Sequence, residues 1–556
     1  MFTKAKYILF ILNVILICWF LAVGIDMRHS QVMGMTLIDA DHISRMTEGR
    51  NRIAYDDRLS IKLQETALPY SSSDNTLYFP QNAAVDGWEG QLHAPRGYSL
   101  RLLEDDALAD KSQAIRENHI FSVYLVGKKD FIPLNLIMTG APVINIVTTS
   151  EEEPEEIDYF TDPDRFVFES QTNYYGSIDI WDPVTSANDY NIASAYVKYH
   201  TKGATTSVFE KKSYSIHLKD NNGESQKLPL LGMRKDDDWK LNSLVTDPTY
   251  LREMTAAQLW EEFAASNTEV NESGSAMRYA ELIIDHDYRG LYCLVEPIDA
   301  KKLELDENDY LYKSVDELLP DYDAVIESAE NDWRVAQSIR IMYPDFIEDY
   351  SSAWYPLLNH YSVFRYYDPE TYSFERAQSY IYLSNLCDRT IFNLVTSASD
   401  NSFKNTYYAV DVEDDPTSVD FSYRAREIPW DLDYTFGNRY DYNANRFTVF
   451  DRDYTHIYLS PTFDQLLHFS PMQATEAILL RWQSCRASFL TSEKLTSLFE
   501  DNQHFLRASG ALLREQNRWP DQQVTEDLQD LTEFQQKRME WLDQYITNGM
   551  GMFEAD

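Results

Sequence analysis

Nineteen consecutive residues, Tyr7 to Ile25, carry one polar side chain, Asn13, and follow Lys4 and Lys6. In hydrocarbon every backbone N–H and C=O must find its partner within the segment, so a run of this length reads as one helix crossing a bilayer. The two lysines put its start on the cytoplasmic side. The run exits into DMRHSQ with no small-x-small site, and Ile17 before Cys18 spoils a lipoprotein signal. The expectation is an uncleaved anchor over residues 1–28, with the chain from Asp26 onward on the far side of a cell membrane. Everything after it must fold in water. At 44% hydrophobic residues and only 18 Gly and 20 Pro in 556, it has the composition to do so, as two or three units.

The charge balance narrows the partners. With 49 Lys and Arg against 90 Asp and Glu, the formal net charge is −41, a field that repels polyanions and draws in basic partners. Nucleic acid is excluded as a partner on this ground, and a basic protein substrate is favoured. Cys293, Cys387 and Cys485 are widely spaced and odd in number, which gives neither a disulfide framework nor a structural zinc site.

From Arg28 to about Leu68 the pattern is mixed and polar and reads as a stalk. The runs GYSLRLL, HIFSVYLVG and LNLIMTGAPVINIVTT then bring β-branched and aromatic residues between turn signals, so residues 29–137 are expected to hold a stalk and a small β-rich module. The acidic stretch at 150–158 reads as a solvated loop. Strand signals continue through YYGSIDIWD, SAYVKYHTKG and KKSYSIHLKDNNG, where Asn221–Gly223 marks a turn. Asp247-Pro248 is a candidate helix cap followed by Pro at the first helical position. Beyond it Ala256, Leu259, Trp260 and Phe263 recur at i, i+3, i+4, i+7, the spacing of one buried helical face. A strand pair, YAELIIDHDYRGLYCLVE, follows. Asp306 to Ser399 reads mostly helical, as does Ser492 to about Thr547. The order predicts an α+β fold with a β-rich lobe over 138–305, a helical lobe over 306–545 and a cleft between them.

The stretch from Asp400 to Gly437 carries the chemistry. Thr406 to Val412 and Phe421 to Ile428 are strand-like on either side of the turn EDDPTS, so they pair antiparallel. Counting back from that turn brings Asn405 near Asp431, and Asp400, five residues before Asn405, feeds the same open end. Convergent Asp and Asn oxygens are hard ligands for Mg²⁺ or Mn²⁺, ions that bind phosphates in their remaining positions. An Asp, an Asn five residues on, a hairpin and another Asp follow the order of the protein-kinase catalytic loop and metal-binding Asp. In that reading Asp400 takes or orients the proton of an attacking hydroxyl, and Asn405 and Asp431 hold the metal.

Phosphates need a local reversal of charge. Lys198 to Arg252 holds ten Lys or Arg against seven Asp or Glu, a balance of +3. The segment HTKGATTS, with Gly203 and small hydroxyl residues between two strands, suits a loop over phosphates. Lys212 or its neighbour Lys211 is placed to reach a phosphate, and alternation lets only one of them face the cleft. Glu253, one turn before Ala256, is either the partner of that lysine or an ordinary first-turn acid.

The runs KKSYSIHL, DDDWKLNSLVTDPTYLRE, RGLYCLVEPID, SASDNSFKNTYYAV and IPWDLDYTFGN, in this order over roughly residues 138–545, resemble the spore-coat protein H (CotH) kinase family. The resemblance implies an atypical protein-kinase-like fold, ATP with a divalent metal (Mg²⁺ or Mn²⁺), and phosphoryl transfer to Ser or Thr of protein substrates. It puts the family's catalytic Asp on Asp400, its metal positions on Asn405 and Asp431, its nucleotide lysine on Lys212, and the interlobe linker that meets the adenine at Glu296. Asp433 either supplements or replaces Asp431. The loop before Lys211 begins TKGATTSVF, where family members often carry an Arg-Gly start, so a lysine or histidine must do an arginine's work there. The alternative from another class is a catalytically inactive kinase-like protein that binds or builds a cell surface.

Overall fold

The computed structural model describes residues 31–104, 110–152, 172–183, 191–203, 208–314, 322–364, 372–402, 404–413, 422–441 and 446–550. The expected anchor at 1–28 and most of the acidic stretch at 150–158 lie outside them. Among the described residues no helix is long and apolar enough to cross a membrane.

The first unit is a mixed sheet. Its centre is antiparallel, Ser99–Leu103 against Ile120–Val126 against Asp130–Thr139, with Met35–Ile38 and Thr76–Pro80 laid parallel along its two sides. The polar stalk expected over 28–68 is instead part of this unit: Met35, Ile38, Ile43, Ile61, Leu63 and Leu68 are buried. Its apolar residues are spread over strands of two to four residues and one short helix, Ala40–Thr47, so no element is long enough to show a period.

Seven strands then close a barrel. In chain order they are β1 (Val143–Glu152), β2 (Asn173–Asp182), β3 (Asn191–Lys202), β4 (Ser213–Lys219), β5 (Asp238–Asn242), β6 (Met277–Ile284) and β7 (Asp287–Val295). Neighbours run β1-β2-β3-β4-β5-β7-β6, and β1 closes the ring by pairing parallel with β6. Alternation decides what each strand buries. Tyr214, Ile216 and Leu218 of β4 join Val197, Tyr199, Trp239 and Leu241 inside, while Ser213, Ser215 and His217 point outward beside Lys202, Lys240 and Lys198 of the paired strands. One outer face of the barrel is therefore polar and basic.

Between β5 and β6 the chain makes α1 (Arg252–Ser266), whose Ala256, Leu259, Trp260 and Phe263 are buried as their spacing predicts. The helix begins four residues later than Asp247-Pro248 suggests. Asp247 still serves its start, since its carboxylate accepts from the N–H groups of Thr249, Leu251 and Arg252.

The second lobe mixes helices with a five-stranded sheet, a departure from the mostly helical expectation for 306–399. The strands are β8 (Tyr310–Ser314), β9 (Val335–Ala336), β10 (Ile339–Tyr343), β11 (Thr406–Glu413) and β12 (Ser422–Pro429), in the order β9-β10-β8-β11-β12. Three of them are five residues or shorter, and such runs do not separate from helix by pattern alone. The described helices that matter below are α2 (Leu383–Thr396), α3 (Pro471–Ala487), α4 (Ser492–Ala508), α5 (Ala511–Arg518) and α6 (Gln529–Thr547). The core of this lobe is continuous with α1 and with Leu291, Cys293 and Val295 of the barrel. Cys293, Cys387 and Cys485 are free and buried.

Candidate active site

The ribbon of β11 and β12 forms as its strand-turn-strand pattern predicts, with Thr406 opposite Pro429 at its open end. Asn405 and Asp431 leave that end with φ of 56° and 59°, the left-handed region that costs most residues energy and that Asn and Asp tolerate best. A clasp holds them there. Asn401 Nδ2 donates to the carbonyl oxygens of Asn405 (3.0 Å) and Trp430 (2.8 Å), and Trp430 N donates to Asn405 O at 2.9 Å. Asn401 is itself fixed from α2, where Arg389 Nη2 and Asn393 Nδ2 donate to its carbonyl. Strained conformers that are over-determined by their surroundings in this way cluster at functional sites.

Asp400, Asn405 and Asp431 line one cavity of about 170 Å³, together with Lys404, Asp433 and Tyr434 of the same lobe and Lys202, Gly203, Ser213, Asn242, Thr246 and Glu253 of the barrel side. Asp400 is tied to both residues that end its loop: Asn405 Nδ2 donates to Oδ2 at 2.9 Å, and Lys404 Nζ lies 3.0 Å from Oδ1. Asp433 accepts from Thr246 Oγ1 at 2.7 Å, a bond that crosses from one wall to the other. Asn438 Nδ2 closes the same junction by donating to Thr246 O and Asp433 O.

The other two residues expected at the site are elsewhere. Lys212 does not line the cavity; Lys202, at the end of β3 and paired with Ser213, does. Lys211 turns to the end of the barrel, where its Nζ meets Glu515 Oε1 and Leu291 O, both at 2.6 Å. Glu296 is buried away from the cavity, one carboxylate oxygen 2.5 Å from Arg234 Nε and the other 2.8 Å from Lys302 Nζ. Its ion pair with Arg234 holds the exit of β7 beside the short strand Lys235–Asp236.

Electrostatically the cavity is a buried pairing of acids with lysines. Burial pushes Lys202 down to about 8 while Asp431 and Glu253 pull it back, and its ammonium stands over the Trp430 ring. Glu253 accepts from Asn242 Nδ2 at 2.6 Å and is pushed up to about 8 by burial and by Asp431. Asp433 is held well above the usual carboxylate range by burial and then by Asp431 and Glu253. Carboxylates that raise one another in this way are crowded acids whose protons a cation would displace, and hard oxygen donors from Asn405, Asp431 and Asp433 fit a divalent cation. The cavity is smaller than the roughly 300–1,000 Å³ that encloses a whole small molecule, and it suits phosphate groups and an ion.

Sequence reasoning missed Lys202 as the cleft lysine, although it lies in the HTKGATTS segment singled out for phosphates. It also passed over Lys404, whose position beside Asn405 was its only signal. No curated protein matches the chain. Residues 199–542, more than half of its length and containing the lining residues of both walls, match the family model described as CotH kinase protein. The cleft thus lies wholly within the matched span, and the chain belongs to the CotH kinase family.

Proposed function

We propose that the protein is an atypical, kinase-like Ser/Thr protein kinase that transfers the γ-phosphoryl group of ATP. The observation that carries this reading is the meeting of Asp400, Asn405, Asp431 and Asp433 with Lys202 and Lys404 around one phosphate-sized cavity. Acids alone would suit a bare metal site and lysines alone an anion site; phosphoryl transfer needs both at once.

Asp400 accepts the proton of the incoming hydroxyl as its oxygen bonds to the γ-phosphorus and the bond to the bridging oxygen of the leaving diphosphate breaks. Asn405 Nδ2 and Lys404 Nζ orient that carboxylate, and Lys404 is also placed beside the transferring group. Lys202 takes the phosphate-binding role expected of Lys212, with Glu253 as its carboxylate neighbour. A bound Mg²⁺ or Mn²⁺, held by Asn405, Asp431 and Asp433, would neutralise charge on the triphosphate. The net charge of −41 favours a basic, Ser-rich protein substrate and disfavours nucleic acid. The apolar run Tyr7–Ile25 would hold the enzyme on a cell membrane with its bulk outside the cytoplasm.

The test is transfer of labelled phosphate from ATP with Mg²⁺ or Mn²⁺, to the protein itself or to a basic Ser-rich peptide. Asp400→Ala is expected to reduce transfer by about 10³-fold or more with an unchanged melting temperature. Transfer that survives the substitution removes Asp400 from the chemistry. Absence of both transfer and calorimetric ATP binding in the unsubstituted protein leaves the surface-binding alternative.

A further inference from the structure

A second cavity, of about 660 Å³, opens between the start of α1, the base of the ribbon β13 (Asn438–Asp441) and β14 (Arg446–Phe450), and the loop that leads into α6. Its volume is in the range of pockets that enclose small molecules, and none of its lining residues borders the catalytic cavity. Arg252 forms part of its wall at 5% exposure. That guanidinium is only partly used by the protein: Nη1 donates to Asp247 Oδ1 and Thr249 Oγ1, and Nε to Phe436 O. Among the described residues Nη2 has no partner. That nitrogen is open to solvent on the cavity wall, so a ligand oxygen there would replace water with a charge-assisted hydrogen bond.

Arg252 does not act alone. Its guanidinium lies 5.5 Å from the centre of the Phe450 ring, and that of Arg452 lies 5.1 Å from the same ring. Arg452 gives one edge to Asp530. Asp527, the other carboxylate on the rim, accepts from the N–H of Gln529 at the start of α6. Two cations on one aromatic ring, in a chain of net charge −41, beside the apolar surfaces of Pro248, Val524 and Leu531, form a receptor for an anionic head on an organic body.

The geometry points to an effector site: this cavity binds a small organic anion, its carboxylate or phosphate oxygens on Arg252 and Arg452 and its body against Phe450. The site is wired to the metal loop by two hydrogen bonds and one chain neighbour. Arg252 Nε holds the carbonyl of Phe436, Asn438 holds the carbonyl of Asp433, and the residue after Arg252 is Glu253 of the catalytic cavity. An anion on Arg252 therefore biases the position of Asp431 and Asp433. This consequence rests on the kinase reading, whereas the binding does not.

The experiment is calorimetric titration of the full chain, without metal or nucleotide, with citrate as the carboxylate probe and pyrophosphate as the phosphate probe. At least one is expected to bind saturably with Kd of about 1 mM or tighter. Arg452, with 68% of its side chain exposed, is replaced without threat to folding. Arg452→Gln should weaken binding about tenfold, and Thr525→Trp, which fills the mouth, should abolish it. Lys202→Met, which removes the phosphate-binding group of the catalytic cavity, should leave it unchanged, and the bound probe should slow amide exchange at Phe436 and Asn438. No saturable heat from either probe overturns the proposal. Binding that survives both Arg452→Gln and Thr525→Trp, or that is lost in Lys202→Met, places the anion elsewhere and overturns it too.

Discussion

Lys202 and Glu253 reach the same value, about 8, from opposite sides, because burial taxes the charged form of each. On the proposed kinase reading, a triphosphate beside Lys202 would restore its charge, and the lysine's contribution would be greatest with nucleotide bound. Lys202→Met is therefore expected to lower kcat/KM for ATP by about 10²-fold, the worth of one preorganised donor at a developing charge, whereas Lys212→Met should stay within about threefold of the parent. Steady-state rates at varied ATP decide between them, and the reverse ranking would return the phosphate role to Lys212. Asp400, Asn405 and Asp431 were legible because a turn fixes the register of a ribbon, and register fixes which residues share its open end. Lys202 was not, because strand alternation around Lys211 and Lys212 says which way a side chain points only once β4 is known to begin at Ser213. The two lysines precede that strand, and Lys211 bends to Glu515 instead.

Helices meet through a second set of acids, remote from the cavity. Glu272, after the end of α1, and Asp388 of α2 lie together, and Arg481 of α3 pairs with Asp388 at 2.5 Å. Asn385 and Asn267 donate to Glu272 Oε2. Burial, then Asp388, holds Glu272 well above the usual carboxylate range, and burial pushes Asp388 up to about 6 against the pull of Arg481. A raised acid is one whose proton the fold keeps while the unfolded chain gives it up. Its contribution is complete below the unfolded value, 4.5 for Glu272, and is lost as pH rises through the folded one. Glu272→Gln keeps the shape and cannot ionise. Thermal melts should find it equal to the parent near pH 4.5 and more stable at pH 8, by about 1 °C for each kcal/mol in a chain of this size. A difference that shrinks as pH rises would show that Glu272 is ionised in the fold. These contacts had no counterpart in the sequence reading, since Asn385 reaches Glu272 across 113 positions and Arg481 reaches Asp388 across 93.

At the scale of the molecule, the match over 199–542 and the fold do not share a boundary. The barrel closes only through β1 and β2, residues 143–182, which pair with β6 and β3. Its wall in turn shares a core with the N-terminal sheet, where Val143, Trp181, Ile283 and Tyr288 pack among Leu77, Phe79, Leu102 and Phe121. Of two successive residues of α5, the first fastens this junction and the second ties the helix to the barrel. Arg514 donates to Glu281 of β6, to Thr139 and to Asn118, and Glu515 takes Lys211 and the Tyr250 hydroxyl. A fragment of residues 199–542 keeps both ion pairs but strips Asn118 and Thr139 from Arg514, and each buried donor left without its acceptor costs about 1–3 kcal/mol. The fragment also keeps only the last four residues of β3, so the edges of β4 and β6 would add unpaired strand to solvent. A fragment of residues 199–542 is therefore expected to be insoluble or to lack near-ultraviolet circular dichroism, while residues 31–556 melt in one cooperative transition. If the shorter fragment proves monomeric with a sharp transition of its own, the sheet before it is an appendage and the barrel does not depend on β1 and β2.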